Sequence, residues 1–224
     1  MQTLEFKLRS GLTALDLSLS DAQVASLLAY QALIEKWNKV YNLTAVRDPD
    51  DMLTHHLLDS LAVVAPLRRQ LAFMASNAVT ETVRLLDVGS GAGLPGVVIA
   101  ICCPEIQVDC VDTVGKKAAF IQQSAVTLKL PNLRGVHARV ENLTDKYQVI
   151  SSRAFASLVD FTRWSSQALA SQGVWLAMKG KHPDDELATL PPEIEVFHVE
   201  HLAVPGLDAE RCLIWMRPVV HRND

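Results

Sequence analysis

The sequence predicts a doubly wound α/β fold, with a mainly parallel sheet of seven strands, helices on both faces and a helical extension ahead of it. Two observations carry this. From Val83 onward, short apolar runs alternate with helical stretches, and the first of those runs ends in a glycine-rich turn that opens a helix. The length of 224 residues accommodates one such domain plus a small appendage and not two full domains.

In the lead-in, Ser20-Asp21 is a good N-cap pair. Val24, Leu27, Leu28, Leu33, Ile34 and Trp37 then recur at three- and four-residue spacings, which predicts an amphipathic helix over 19–46. Asp48-Pro49-Asp50 interrupts it, and a second helical stretch carries Met52, Leu53, Leu57, Leu58, Leu61 and Val64 and ends near Pro66. Residues 1–75 are therefore expected to be a helical extension, 74–82 a small, polar junction, and 83–218 the main domain, all packed as one compact unit.

The candidate strands are VRLLDV, IQVDCVD, LRGVHA, QVISS, GVWLAMK, EIEVFHVE and CLIWMR, with helices at 95–103, 116–129, 157–170 and 184–190. The last two runs are joined by HLAVPGLDAER, which holds no helical pattern, so the final strand is expected to enter antiparallel.

Composition sets limits on function. Hydrophobic residues make up 49% and charged residues 21%, which excludes a disordered or fibrous chain. No apolar run reaches membrane-spanning length, and the N-terminus lacks the layout of a secretory signal, so a cytosolic protein is expected. Cys102, Cys103, Cys110 and Cys212 form no C-x-x-C and lie in apolar segments, which reads as reduced core thiols and no metal site. Formal net charge is -4, yet residues 116–181 hold ten Lys or Arg against three acids. That segment is either a local basic surface or a set of solvated helix faces.

The sharpest feature is Leu85-Leu86-Asp87-Val88-Gly89-Ser90-Gly91-Ala92-Gly93-Leu94-Pro95-Gly96, a strand, a glycine turn and a helix start. Glycines let a ligand approach the backbone, and a helix N-terminus offers unpaired N–H groups. Gly91-x-Gly93-x-x-Gly96 satisfies the dinucleotide pattern formally. Asp87, two residues ahead of Gly89, would however oppose a pyrophosphate, so a cationic ligand without phosphate, S-adenosyl-L-methionine, is the better match. Asp112, at the end of the second strand, is placed to accept hydrogen bonds from both ribose hydroxyls.

Several ordered motifs carry a resemblance to a known family. LLDVGSGAGLPGVVIAI, VDTVGKKAAFIQ, ARVEN, ISSRAFASL and MKG, with WNKVYNLTAVRD and HHLLDSL in the lead-in, resemble the glucose-inhibited division protein B family of small-subunit ribosomal RNA guanine-N7 methyltransferases over residues 30–217. The resemblance implies a Rossmann-like class I S-adenosyl-L-methionine-dependent methyltransferase. It implies cofactor contacts at Gly89, Leu94, Val140, Glu141 and Arg153, with Asp112 as ribose acceptor, beside the turn residues Asp87, Gly91 and Gly93. Where the family has aspartate-serine, this chain has Asp112-Thr113.

The residues after the fourth strand bear on the target atom. Amine methyltransferases place an Asp/Asn-Pro-Pro-aromatic segment there and carbon-5 enzymes need a cysteine nucleophile, whereas this chain has Ser151-Ser152-Arg153-Ala154-Phe155. Guanine N7 has an in-plane lone pair and no proton, so it needs orientation and no general base, and orientation alone can contribute about 7–11 kcal/mol in favourable cases. Arg153 is expected beside the cofactor, as a catalytic or carboxylate-binding group. Arg139, Lys179 and Lys181 are expected at RNA phosphates, with Phe155 either stacking on a base or buried in the core. His55 and Asp59, four apart on the second helix, read as a pair joining the helical region to the sheet. The expected partner is small-subunit ribosomal RNA or a ribosomal particle, and the expected state a monomer. An NAD(P)-dependent oxidoreductase and a non-catalytic RNA-binding protein are the alternatives.

Overall fold

The computed structural model describes residues 2–75 and 82–219. The expected junction falls largely on 76–81, outside the described residues.

The helical lead-in comprises α1 (Leu4–Ala14), α2 (Asp21–Tyr41), α3 (Pro49–Met52), a π-helical segment Leu53–Leu58, α4 (Asp59–Leu61) and α5 (Val64–Ala75). Helix α2 starts on a capping box in which Ser20 and Gln23 satisfy each other's backbone N–H, and stops at Asn42 in the left-handed conformation, several residues short of the expected 46. The second stretch does not end at Pro66. A break at Ala62 and Val63 restarts the helix, and Pro66 then sits in the first turn of α5, where its missing N–H is not needed.

The main domain comprises β1 (Arg84–Val88), α6 (Gly96–Cys102), β2 (Gln107–Asp112), α7 (Gly115–Thr127), β3 (Leu133–His137), β4 (Tyr147–Arg153), α8 (Leu158–Ser165), β5 (Leu169–Lys179), α9 (Asp184–Ala188), β6 (Ile194–His201) and β7 (Cys212–Pro218). The order β3-β2-β1-β4-β5-β7-β6 makes a seven-stranded sheet, parallel from β3 to β5. As expected, β7 enters antiparallel, against both β5 and β6. Strand β5 begins four residues before the apolar run that announced it, because Leu169 pairs with Tyr147 ahead of a bulge.

Alternation along the strands divides the core. Leu85, Val108 and Val149 face a cluster with α6, α7 and the lead-in helices, while Leu86, Val111 and Ile150 face α8 on the other side. Helix α6 is buried along its whole length. Its C-terminal carbonyls accept from Gln23 of α2, Arg68 of α5 and Asn132, so lead-in and sheet share one cluster and one set of hydrogen bonds. All four cysteines are buried and unbridged. Among the described residues no helix is long and apolar enough to cross a membrane.

Strand order reverses between β1 and β4, so the loops leaving their carboxyl ends diverge and open a crevice there.

Candidate active site

The turn after β1 is built by hydrogen bonds from beneath. Gly89 N–H and Ser90 N–H donate to Val111 O at 2.9 and 3.3 Å, and Gly91 N–H donates to Asp112 Oδ2 at 3.0 Å. Gly89, Gly91 and Gly93 have φ of +66°, +60° and +89°, a region that side chains avoid. They differ in what surrounds them. A Cβ on Gly93 would lie 2.4 Å from Val97, so this glycine serves helix packing, whereas at Gly91 nothing but Gly89 O lies within 4.0 Å and the backbone faces open space.

Two cavities of about 430 and 410 Å³ flank this turn and share Gly89 and Ala154. The first holds Gly91, Leu94, Arg153 and Lys179 together with His55, His56, Asp59 and Arg211. The second holds Asp112, Arg139, Val140, Glu141 and Phe155. Most residues expected at the site are thus brought together. Asp87, Gly93 and Lys181 line neither cavity.

Asp87 requires a correction. It is fully buried beneath the turn, its Oδ2 accepting from Gly96 N–H and its Oδ1 from Ser151 Oγ, both at 3.0 Å. It holds the turn to α6 and β4 and touches no ligand space, because the side chain leaves β1 on the face that packs against the helix. Burial pushes its carboxyl up to about 7, against those two hydrogen bonds, which favour the charged form. In the unfolded chain the group titrates at about 3.9. Between these values the folded state keeps a proton that the unfolded state releases, so this group's contribution to stability falls as pH rises through the window and is flat above it. Asp87→Asn is expected to remove that decline. Urea midpoints measured between about pH 5 and 8 should show the variant gaining on the wild type as pH rises, and a constant difference would contradict the assignment.

Asp112 is 6% exposed, its Oδ1 accepting from Val114 N–H at 2.8 Å and its Oδ2 from Gly91 N–H. Lys117 Nζ lies 3.8 Å from Oδ2, and both groups line the second cavity.

The first cavity is organised around Asp59, which is 2% exposed. Its Oδ2 accepts from Arg153 Nη1 at 2.8 Å and its Oδ1 from Arg211 Nε at 2.7 Å. Arg153 Nη1 also donates to His55 O at 3.1 Å. The expected His55–Asp59 pair does not form. A π-helical turn spreads residues four apart onto different faces, so His55 is exposed while Asp59 turns to the sheet. Asp59 does join the lead-in to the sheet, through Arg153. His56 is buried with Nε2 2.7 Å from Thr44 Oγ1, and burial, with Arg153 nearby, lowers its pKa and keeps the ring neutral.

Lys179 is not a free cation. Its Nζ donates to both Glu186 oxygens at 2.9 Å and to Ala156 O at 3.1 Å. Arg139 and Lys181 are exposed, and Glu141 is exposed beside the second cavity. Phe155 is 37% exposed, with its ring against Gly89 and edge-on to Phe161 and Trp164. Sequence reasoning missed two residues. Arg211 lies in a helix-free connection with no local pattern, and Tyr30 of α2, whose hydroxyl donates to Ala92 O in the glycine turn, reads as one more apolar helix position.

Comparison with known proteins agrees with the resemblance. Residues 23–214 match the model of the GidB family, described as rRNA small subunit methyltransferase G. A protein of Albidiferax ferrireducens named ribosomal RNA small subunit methyltransferase G is 69% identical over 220 residues, covering 97% of this chain and 98% of its own. One of the same name from Acidovorax ebreus is 66% identical over 218 residues, covering 97% and 96%. The crystal structure of TrmN from Thermus thermophilus superposes with a TM-score of 0.54 at 16% identity, over 75% of this chain and 53% of that one, a likeness of fold. The chain belongs to the GidB family, the rRNA small subunit methyltransferase G proteins.

Proposed function

We propose that this protein transfers the methyl group of S-adenosyl-L-methionine to N7 of a guanine in small-subunit ribosomal RNA. The observation that carries this reading is the pair of cavities meeting at Gly89, one holding the Asp112 carboxylate and the other a guanidinium pair. The bare backbone at Gly91 fits the cofactor, since a Cβ there would fill the cradle.

When bound, S-adenosyl-L-methionine supplies a methyl group activated by its sulfonium. The chain's own residues bind and orient. Asp112 would accept from the ribose hydroxyls, Val140 and Glu141 would border the adenosine side, and Gly89, Gly91 and Leu94 would lie under the remainder. Arg153, fixed by Asp59, would meet the cofactor carboxylate or the guanine in the first cavity. N7 attack requires no proton removal, in keeping with linings that contain no cysteine and with an Asp59 whose two oxygens are both taken. Asp87 and Gly93 act from below the turn, by shaping it.

Tyr30 ties α2 to this turn. Tyr30→Phe is expected to cost about 1 kcal/mol of stability and to weaken S-adenosylhomocysteine binding severalfold, as read by urea denaturation and calorimetry. Unchanged affinity would make the contact purely structural.

Arg139 and Lys181, both exposed, are the cations offered to RNA phosphate, with Phe155 as an aromatic surface for a splayed base. Arg139→Ala is expected to lower the slope of log affinity against log salt by about one. Lys179→Ala, by contrast, should leave that slope unchanged, because Glu186 already neutralises Lys179. The partner is ribosomal RNA or a ribosomal particle in the cytoplasm, and the chain acts as a monomer. Residues 1–75 and 83–218 unfold together, as one unit. Calorimetric titration tests the cofactor: S-adenosylhomocysteine should bind and NADH should not, and the reverse would overturn the reading.

A further inference from the structure

We infer that Phe155 is a gate on the cofactor cleft, closed where its ring stands over Gly89 and opened when the cofactor displaces it. The inference rests on the cofactor reading above. Gly89 and Ala154 are the residues common to the two cavities, so a ligand that extends from one to the other passes them. The Phe155 ring lines the second cavity and packs against Gly89, one of those two residues. A Cβ built on Gly89 would stand 2.3 Å from Phe155 Cδ2 and 3.0 Å from Cε2, which puts the ring in van der Waals contact with the bare backbone of the turn. A ligand touching Gly89 on this face and the ring cannot share the space.

The ring is held in place weakly and its neighbours firmly. Phe155 is 37% exposed, and its aromatic contacts are the edges of Phe161 and Trp164, at centroid distances of 6.5 and 5.9 Å. Ala154 just before it has φ +50°, a left-handed conformation that strains a residue with a Cβ, so leaving it relieves strain. On one side Arg153 is locked by Asp59, and on the other Ala156 O is held by Lys179 while Ser157 caps α8. Only Ala154 and Phe155 are left to swing between these anchors. Displaced from Gly89, the ring turns to the open mouth of the cleft, where it can stack on an extruded base.

Stopped-flow mixing of the full chain with S-adenosylhomocysteine tests this, with Trp164 emission as the reporter of its edge contact with Phe155. The wild type should show an emission change on binding that is lost in Trp164→Phe, and Phe155→Ala should associate with the ligand about tenfold faster. An association rate within about twofold of wild type in Phe155→Ala, or an emission change undiminished in Trp164→Phe, overturns the gate. Wild-type protein giving no calorimetric heat with S-adenosylhomocysteine overturns the cofactor reading and the gate together, so the two failures are distinguishable.

Discussion

Replacing Asp59 with alanine is expected to destabilise the protein by about 3 kcal/mol and to lower kcat/KM for ribosomal RNA about 100-fold. The carboxylate is 2% exposed and holds two guanidinium groups, Arg153 from β4 and Arg211 from the connection into β7. Removing it leaves two positive charges side by side. Breaking a buried pair in this way costs about 3–5 kcal/mol, and the lower figure applies because the arginine side chains remain 20% and 22% exposed. The kinetic loss has a separate origin, since Arg153 no longer has a fixed direction and displacements of about 1 Å at a reacting centre can cost about 100-fold. Asp59→Asn separates the two. It keeps an acceptor for one arginine, so urea denaturation should recover part of the stability while methyl transfer stays impaired. Full activity in either variant would remove Arg153 from the reaction.

Asp112→Ala is expected to weaken S-adenosylhomocysteine binding about 100-fold, close to 3 kcal/mol, with a smaller effect on RNA affinity. Two losses add. The charge-assisted hydrogen bonds proposed to the ribose hydroxyls would be absent, and Gly91 N–H and Val114 N–H lose the acceptor that positions the turn. Asp112→Asn retains one acceptor oxygen and should fall between, at about tenfold. A variant that binds the ligand as tightly as wild type, measured by calorimetry, would show that the ribose is held elsewhere.

Much of the architecture was legible because it follows from local rules. The glycine turn announced itself, since close backbone approach at positive φ leaves few alternatives to glycine, and Gly91 faces open space as that argument requires. The position of Asp112 beside the turn was legible from its distance along the chain, because a parallel βαβ unit fixes where the second strand ends. Asp87 was misassigned for a local reason as well. Position relative to Gly89 does not tell whether a carboxylate points up at a ligand or down at Gly96, and burial decides for the latter. The π-helical turn at Leu53–Leu58 defeated the four-residue spacing that linked His55 to Asp59. Contacts made across long stretches of chain stayed hidden: Arg211 reaches Asp59 over 152 residues and Tyr30 reaches Ala92 over 62, with no periodicity to mark either. Lys179 carried the right charge for RNA, but Glu186, seven residues on, had already claimed it.

The proposed reaction moves one methyl group from a sulfonium donor to the N7 of guanine. Small-subunit ribosomal RNA lacking its N7 methylation, incubated with the protein and S-adenosyl-L-methionine carrying a tritiated methyl group, tests it most directly once the product is digested to nucleosides. Label recovered as 7-methylguanosine is the predicted result. Label recovered in any other nucleoside, or RNA left unlabelled by protein that binds it, would rule out N7 as the methyl acceptor.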